Sequence, residues 1–470
     1  MTFRSFAAAV AATSALVLVS FLTDDRPRAA TPPGPYVVTD LGTLRDVPSA
    51  QAYDINEAGQ ITGYAASHAF LWDDGMMTDL GTLGGSGSVG QAINESAQVV
   101  GYSSTQTAGV GNRATLWDHG AIINLTPGLT GSQTSIATGI NDLRQIVGTI
   151  NSDMPFLWQN NAITMLPHLG GGGGFANDIN NAGQIVGSSR TTQQSQVVGP
   201  TPHAALWQGN TVTDLGVIPG TEESGASAIN ELGQIVGSSD RTDPETYEVT
   251  SYAFLYENGA MTALPVPSTE SYAGDINDNG VIVGTMRTAG GMSSWHAFIY
   301  ADGVVTDLNT RILSGSGLHL LYAYGINNAG QIVGVAYDSR ASYHAFLLTP
   351  TAAGTSAVSI NDASVTEGDS GTRAMTFTVS LSSAASDTIT VSYATGNNSA
   401  TAGVDYKSAS GSVTINQGQT TATIQVLVMG DRTSELNETF FVNLTGVTGN
   451  ALISDPQGVG TIIDDDKKRR

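Results

Sequence analysis

The 470-residue chain contains no cysteine, which excludes disulfides, thiolate metal sites and cysteine nucleophiles. Lysine is nearly absent and occurs only at Lys407, Lys467 and Lys468. Because the formal net charge is −23, no basic groove for a phosphate backbone can form, and we expect no nucleic-acid partner. Charged residues make up 13% of the chain against 40% hydrophobic residues and 56 glycines, which is typical of turn-dense β folds and not of helical ones.

Long apolar runs are also scarce, and one near the N-terminus stands out. It extends from Phe6 to Leu22 without a charged residue and follows Arg4, as the n-region and h-region of a secretory signal do. We therefore predict a signal peptide over residues 1–30 and a secreted or cell-surface location. The cleavage site is ambiguous, so an uncleaved anchor is the alternative, and only in that case is a membrane a partner.

Most of the chain consists of an internal repeat. An Ile-Asn pair followed by Gln-Ile-Val-Gly, or a near variant, recurs at intervals of about 38 to 50 residues. An apolar strand near His-Ala-Phe-Leu-Trp and a Thr-Asp-Leu-Gly strand recur with it, so each repeat offers the four short strands of one propeller blade. The seven copies begin at Ile55, Ile93, Ile140, Ile179, Ile229, Ile276 and Ile326. We predict an all-β chain with a seven-bladed β-propeller over residues 36–350.

The phase of the repeat predicts how the propeller closes. The chain enters with a Thr-Asp-Leu strand at residues 37–41, and the last repeat stops after the strand from His344 to Leu348, one strand short of a blade. We expect the first strand to complete the last blade, because pairing both ends of the domain removes unpaired strand edges.

These elements resemble the HAF family of extracellular repeats, named for the His-Ala-Phe triplet present at His68, His296 and His344. The resemblance covers roughly residues 36–350 and implies export without an assigned chemistry, since a fold alone gives none. In such blades the tight turns lie on one face, and we expect a binding site among the long segments of the other, the loop face. Those segments are residues 84–90, 103–112, 170–174, 188–202, 238–251 and 285–295.

The recurring polar and aromatic residues have structural explanations. We expect the seven repeat asparagines and four repeat histidines to cap turns and bond strand edges, and the tryptophans at one repeat position to pack between blades. Trp295 differs because it is predicted in a loop beside His296, where it is either packed or exposed as a carbohydrate-stacking platform.

Motifs of catalysis are missing from the sequence: no Gly-x-Ser-x-Gly elbow, His-Glu-x-x-His helix or phosphate-binding loop occurs. Glu222 and Glu223 with Asp240 or Asp243 could serve acid and base roles, although adjacent loop acids are usually solvated. A non-enzymatic role is therefore favoured over catalysis.

After a small-residue linker the repeat disappears, and short alternating strands over residues 357–466 predict an immunoglobulin-like β-sandwich. Acidic residues cluster at its turns, where they offer the oxygen ligands that Ca²⁺ prefers. Three consecutive aspartates would repel one another without a cation. A solvated acidic end is the alternative.

The order of these acids resembles the Calx-β motif over residues 357–466. The resemblance implies a calcium site, with Ca²⁺ as the one expected cofactor. The implied ligands are Glu367, Asp405, Asp431, Glu435, Asp464, Asp465 and Asp466, with Glu438 as a further ligand. A basic tail at residues 467–470 follows directly and either pairs with the empty site or is disordered.

Taken together, the sequence predicts an exported calcium-binding recognition or adhesion protein whose propeller binds a glycan or a protein on its loop face. The alternatives are a secreted polysaccharide-active or other hydrolase that uses the same face, and a purely structural matrix component.

Overall fold

The computed structural model describes residues 35–44, 47, 49–107, 109–195, 199–288, 294–312, 317–351 and 355–466. The predicted signal peptide and basic tail lie outside these residues. Within them the chain forms 37 β-strands and one short 3-10 helix, Leu308–Thr310. The predicted fold class is confirmed: seven four-stranded sheets form a propeller, and two further sheets form a sandwich. In the described part of the chain, no helix is long and apolar enough to cross a membrane.

The first three blades each consist of four consecutive antiparallel strands. Blade 1 comprises β2 (Ala50–Ile55), β3 (Ile61–Ala65), β4 (His68–Asp73) and β5 (Met76–Asp79). Blade 2 comprises β6 (Gly84–Ile93), β7 (Val99–Thr105), β8 (Arg113–Asp118) and β9 (Ala121–Asn124). Blade 3 comprises β10 (Ser135–Ile140), β11 (Ile146–Ile150), β12 (Met154–Gln159) and β13 (Ala162–Met165).

Blades 4 to 6 repeat this order. Blade 4 comprises β14 (Gly170–Ile179), β15 (Gln184–Ser195), β16 (Gly199–Gln208) and β17 (Thr211–Gly216). Blade 5 comprises β18 (Glu223–Ile229), β19 (Ile235–Thr242), β20 (Val249–Glu257) and β21 (Ala260–Ala263). Blade 6 comprises β22 (Ser271–Ile276), β23 (Ile282–Arg287), β24 (Trp295–Ala301) and β25 (Val304–Asp307).

Blade 7 closes the ring as the sequence predicts. It comprises β26 (His319–Ile326), β27 (Ile332–Tyr337) and β28 (Tyr343–Pro350), and its outer strand is β1 (Tyr36–Asp40) from the start of the domain. The pairing of β1 with β28 is antiparallel, with Val38 opposite Leu348. Asp40 also accepts from His344 Nδ1 at 2.8 Å, so side chains as well as backbone join the two ends.

The seven repeat asparagines hold neighbouring blades together. Each is buried, and its Oδ1 accepts from the backbone N–H four residues later, as in Asn56 with Gln60. Each Nδ2 donates to the backbone carbonyl of the equivalent asparagine in the next blade at 3.0–3.2 Å. The last of these bonds runs from Asn327 to Asn56, so the chain of hydrogen bonds is a closed ring.

The glycine that ends each Gln-Ile-Val-Gly element is required by backbone crowding. A Cβ there would lie only 1.9–2.1 Å from a carbonyl oxygen of the first strand, in every blade. The cause is a β-bulge, seen as a register shift near the middle of each first strand. Such a bulge bends its strand and presses the backbone against the neighbouring strand. The repeat therefore encodes a bulge together with the glycine that accommodates it.

Two glycine-rich segments differ from the sequence expectation. Residues 84–90 and 170–174 belong to strands β6 and β14 and are not loops between blades. At Gly171 a Cβ would lie 2.0 Å from the carbonyl oxygen of Thr191, so glycine permits this close pairing with β15. In the segment 188–202, residues 188–195 likewise belong to β15 and residues 199–202 to β16, and these two strands pair antiparallel.

The sandwich has one sheet of four strands and one of five. The first has the order β34 (Thr421–Gly430), β31 (Gly371–Leu381), β29 (Ser356–Ile360), β36 (Ala451–Ile453). The second has the order β30 (Ala363–Thr366), β37 (Gln457–Ile463), β35 (Glu438–Thr448), β32 (Ile389–Asn397), β33 (Ser410–Ile415). Between the sheets Phe377, Tyr406 and Phe440 are fully buried, and the rings of Tyr406 and Phe440 stack with centroids 4.3 Å apart.

Candidate functional site

Strand pairing brings the acidic residues of the sandwich to one end. β30 and β37 run parallel, with Thr366 opposite Ile463. Glu367 and Asp464 are the next residues of the two strands, so both leave the sheet at the same edge. Glu367 N–H donates to the Ile463 carbonyl at 3.2 Å, which extends the pairing to the acidic residue itself.

Six of the eight predicted ligands form two triads. Glu367, Asp464 and Asp466 each place one carboxylate oxygen within 4.8 Å of the others, and Asp405, Glu435 and Glu438 do the same. The triads adjoin, because Glu435 N–H donates to Asp464 Oδ2 at 3.1 Å. The site assignment itself stays a prediction.

The two remaining predicted ligands lie beside the triads. Asp431 is close enough to raise the pKa of both Glu367 and Glu435. Asp465 Oδ1 accepts from Gly368 N–H at 3.0 Å and belongs to neither triad. This hydrogen bond holds the turn that follows Glu367.

Crowded negative charge governs the protonation of the site. Glu367 is only 5% exposed, and burial, followed by Asp431, Asp464, Glu435 and Asp466, raises its pKa to about 7. Burial and neighbouring carboxylates also raise the pKa of Glu435, Glu438 and Asp466. The ionised carboxylates are disfavoured by burial and by one another's charge, and a bound cation would stabilise this ionised form.

The donor set fits a hard divalent cation. All triad ligands are carboxylate oxygens, which Ca²⁺ prefers. Among the described residues, the buried Oδ2 of Asp466 has no hydrogen-bond partner. A buried acceptor without a partner costs free energy, and an ion between the carboxylates would complete it.

Asp369 is a member of this acidic end that sequence reasoning missed. It contributes to the raised pKa of Asp466 and lies 4.0 Å from the exposed Arg432. The sequence Glu-Gly-Asp-Ser-Gly does contain it, but only the turn after Glu367 shows that it faces the aspartates of the other strand.

The repeat histidines of the propeller are structural. The Nδ1–H of each donates to the carboxylate of the aspartate in the Thr-Asp-Leu strand of its own blade, at 2.5–3.0 Å. The pairs are His68 with Asp79, His203 with Asp214, His296 with Asp307 and His344 with Asp40. They tie the third strand of a blade to the fourth.

Trp295 differs from the expectation of a loop residue. It is the first residue of β24, is half-buried, and packs between Tyr272 and Tyr322 with centroid distances of 6.1 and 6.2 Å. The carboxylates proposed as an acid and base pair also occupy strands: Glu223 lies opposite Asp240 in the pairing of β18 with β19. Asp243 instead accepts from two backbone N–H groups of its own turn.

Comparisons with known proteins concern chiefly the sandwich. Residues 350–467 match the model of the Calx-beta domain family. The apo-form Calx CBD1 domain aligns at 20% identity over 24% of this chain and 99% of that one, with a TM-score of 0.22. The calcium binding domain CBD12 of CALX1.1 aligns at 21% identity over 24% of this chain and 47% of that one, also at 0.22. This chain thus spans about half the length of that structure.

TolB from Acinetobacter baumannii aligns at 12% identity, covering 67% of this chain and 80% of that one, with a TM-score of 0.33. No curated protein matches the chain. The family match at residues 350–467 shows that the C-terminal region is a Calx-beta domain, a class of domain with calcium-binding members.

Proposed function

We propose that this protein is an exported calcium-binding recognition or adhesion protein. The two carboxylate triads, in a region that matches the Calx-beta family, carry the calcium part of this proposal. Calcium would be held by Glu367, Asp464 and Asp466 in one triad and by Asp405, Glu435 and Glu438 in the other, with Asp431 beside both. Bound calcium would fix the loops at this end of the sandwich.

The propeller supplies the recognition surface in this proposal. Its resemblance to HAF repeats and the apolar N-terminal run support export, and the net charge of −23 supports a partner other than nucleic acid. The ligand would be an extracellular glycan or protein held on the loop face, because binding sites concentrate on the segments that a rigid scaffold displays.

Calorimetric titration of the full chain with Ca²⁺ tests the proposal. We expect heat of binding and a rise in the unfolding temperature of the sandwich, since a ligand that binds only the folded state stabilises it. Asp464→Asn should remove most of the effect. Asp387→Asn is the matched control, because Asp387 precedes β32 and lies outside both triads. No heat with the unaltered chain would refute calcium binding.

The environment of Glu223 and Asp240 favours a second function, hydrolysis on the loop face. Glu223 and Asp240 lie opposite each other, burial raises the pKa of both, and Asp240 Oδ1 is buried without a hydrogen-bond partner among the described residues. Release of reducing ends from polysaccharides tests it. Activity that is lost in Glu223→Gln and kept in Glu222→Gln would establish the hydrolase.

A further inference from the structure

In each blade of the propeller, the bulge leaves one residue of the first strand out of the strand pairing, and the identity of this residue varies between blades. The residue skipped by the register shift follows an alanine or glycine and lies two positions before the isoleucine of the repeated Ile-Asn, yet it differs in most repeats. These residues are Tyr53, Gln91, Thr138, Asn177, Ser227, Gly274 and Tyr324. A bulge redirects a side chain, and five of the seven line one central cavity of 440 Å³.

The walls of this cavity are unequal. Blades 7 and 1 contribute Tyr324 and Tyr53, whose rings meet edge to face with centroids 5.4 Å apart. Tyr322 stacks on Tyr324 at 5.7 Å with planes 8° apart. Blade 6, next to blade 7, adds Tyr272 to this aromatic side, whereas Gln91, Ser227 and Gly274 elsewhere in the lining are small or polar.

The aromatic wall continues outward to the loop face. Tyr322 also lines a second cavity of 570 Å³, which includes Trp295, Tyr337 and Tyr343. Arg287 belongs to this second cavity, and its guanidinium lies 5.9 Å from the centre of the Trp295 ring. The two cavities therefore share one continuous row of rings, from Trp295 through Tyr322 and Tyr324 to Tyr53.

The geometry points to this row and its two cavities, the aromatic channel, as the binding site of a neutral glycan. The inference rests on the proposed recognition function and deepens it by naming the ligand class and the residues. A sugar ring offers one apolar face, which packs on an aromatic ring, and a rim of hydroxyl groups, which need hydrogen-bond partners. The channel provides both, with rings on one wall and amide and hydroxyl groups on the other.

Charge selects a neutral glycan over a cationic or acidic ligand. Aromatic rings also attract cations, but Arg287 already occupies the neighbourhood of Trp295 and would repel a second cation. Three aspartates near the channel, Asp54, Asp178 and Asp275, each accept from two backbone N–H groups and are thereby used in joining blades. An acidic polysaccharide would meet a chain of net charge −23.

The tyrosine hydroxyl groups remain hydrogen-bond donors throughout the accessible pH range. Burial raises the pKa of Tyr324 to about 12 and raises that of Tyr53 as well. Tyr53 already donates to Gln51 Oε1 at 3.1 Å, and Gln51 donates to Tyr64, which fixes the orientation of this part of the wall.

Binding of neutral oligosaccharides to the full chain tests the site. The probes are cellohexaose, mannohexaose, xylohexaose and chitohexaose, measured by calorimetry and by tryptophan fluorescence. Trp295 reports on the channel because Trp72, Trp117, Trp158 and Trp207 are buried. We expect one of these probes to bind, and Tyr322→Ala to weaken it about tenfold or more, because a stacked ring is lost.

Two further variants separate loss of binding from loss of folding. Ser227→Trp should fill the channel and abolish binding with an unchanged unfolding temperature. Tyr252→Ala is the matched control, since Tyr252 is an exposed tyrosine of blade 5 outside both cavities.

Three results would overturn the inference: no heat with any of the four probes, binding that neither Tyr322→Ala nor Ser227→Trp reduces, or tetramethylammonium binding in place of the sugars. The second result would place the binding site outside the channel and would not contradict the recognition function. Loss of calcium binding with sugar binding intact would refute the calcium proposal and leave the channel standing.

Discussion

At the residue scale, the repeat glycines show how a backbone contact fixes a sequence. The carbonyl oxygen of Phe175 lies 2.0 Å from where a Cβ of Gly187 would stand, with the Phe175 carbonyl carbon at 2.9 Å. Neither atom belongs to a flexible side chain, so a larger residue cannot be accommodated by a rotamer change. The same restriction applies in all seven blades, which explains why Gln-Ile-Val ends on glycine.

Gly187→Ala should therefore destabilise the propeller by about 3 kcal/mol or more, because the bulge must be displaced. Calorimetric unfolding of the full chain measures the change. Gly128→Ala is the control: it has open space around its Cβ and an ordinary φ, so a change within about 1 kcal/mol is expected. Equal effects in the two variants would contradict the crowding explanation.

A second residue-scale prediction concerns the asparagine ring. Asn327→Ala removes the acceptor for Gln331 N–H and the donors to Gln331 Oε1 and the Asn56 carbonyl. Because these partners are left unsatisfied in a buried place, we expect a loss of about 2–3 kcal/mol. Asn210→Ala, in the exposed turn between β16 and β17, should change little. A stable Asn327→Ala variant would show that the ring is dispensable.

At the scale of elements, the sequence predicts strands better than it predicts what surrounds them. The repeat locates four strands per blade and the strand that closes the ring. It fails at residues 84–90 and 170–174, which lack the hydrophobic alternation of a strand because glycines there serve close backbone contact. The aromatic channel was missed for a related reason, since a bulge leaves no hydrophobic pattern and Tyr53 and Tyr322 are far apart in sequence.

The acidic end of the sandwich was more accessible to sequence reasoning. Glu367 and Asp464 are separated by nearly the whole domain, but a known order of acids indicates that they meet. What the order does not contain is the division into two triads, or the place of Asp465 as a turn-holding residue. Those depend on the parallel register of β30 and β37 and on the turn at Gly368.

Deletion of residues 36–42 tests the closure of the propeller at this scale. Without β1, the outer edge of β28 is unpaired and His344 loses Asp40. We expect a lower unfolding temperature of the propeller and a tendency to associate through the open edge. Val37→Ser is the control, because it changes an outward side chain and leaves the backbone pairing in place. An unchanged unfolding temperature after deletion would rule out this closure.

For the whole molecule, adding calcium should distinguish the unfolding transition of the sandwich from that of the propeller. All the triad carboxylates belong to the sandwich, so calcium should raise the sandwich transition in a calorimetric scan and leave the propeller transition in place. Removal of calcium by a chelator should reverse the shift. A calcium-dependent shift of the propeller transition would instead show that the stabilities of the domains are coupled.

The stability of the sandwich, with and without calcium, should also depend on pH. The pKa of Glu367 is raised in the folded protein from 4.5 to about 7, so the folded state binds its proton more tightly than the unfolded state. Without calcium, the corresponding stability is present below about pH 4.5 and is lost as the pH rises to about 7, by about 3 kcal/mol. With calcium the ionised form is the ligand, so the stabilisation by calcium should grow over the same interval.

Glu367→Gln isolates this effect, because glutamine keeps the shape and does not titrate. Unfolding temperatures of the sandwich at pH 5 and pH 8, each with calcium and with a chelator, measure it. In the unaltered chain the difference made by calcium should be larger at pH 8, and in Glu367→Gln the calcium-free values should depend less on pH. If the calcium-free protein is instead more stable at pH 8, the crowded carboxylates do not repel as the structure indicates, and the triads do not require an ion.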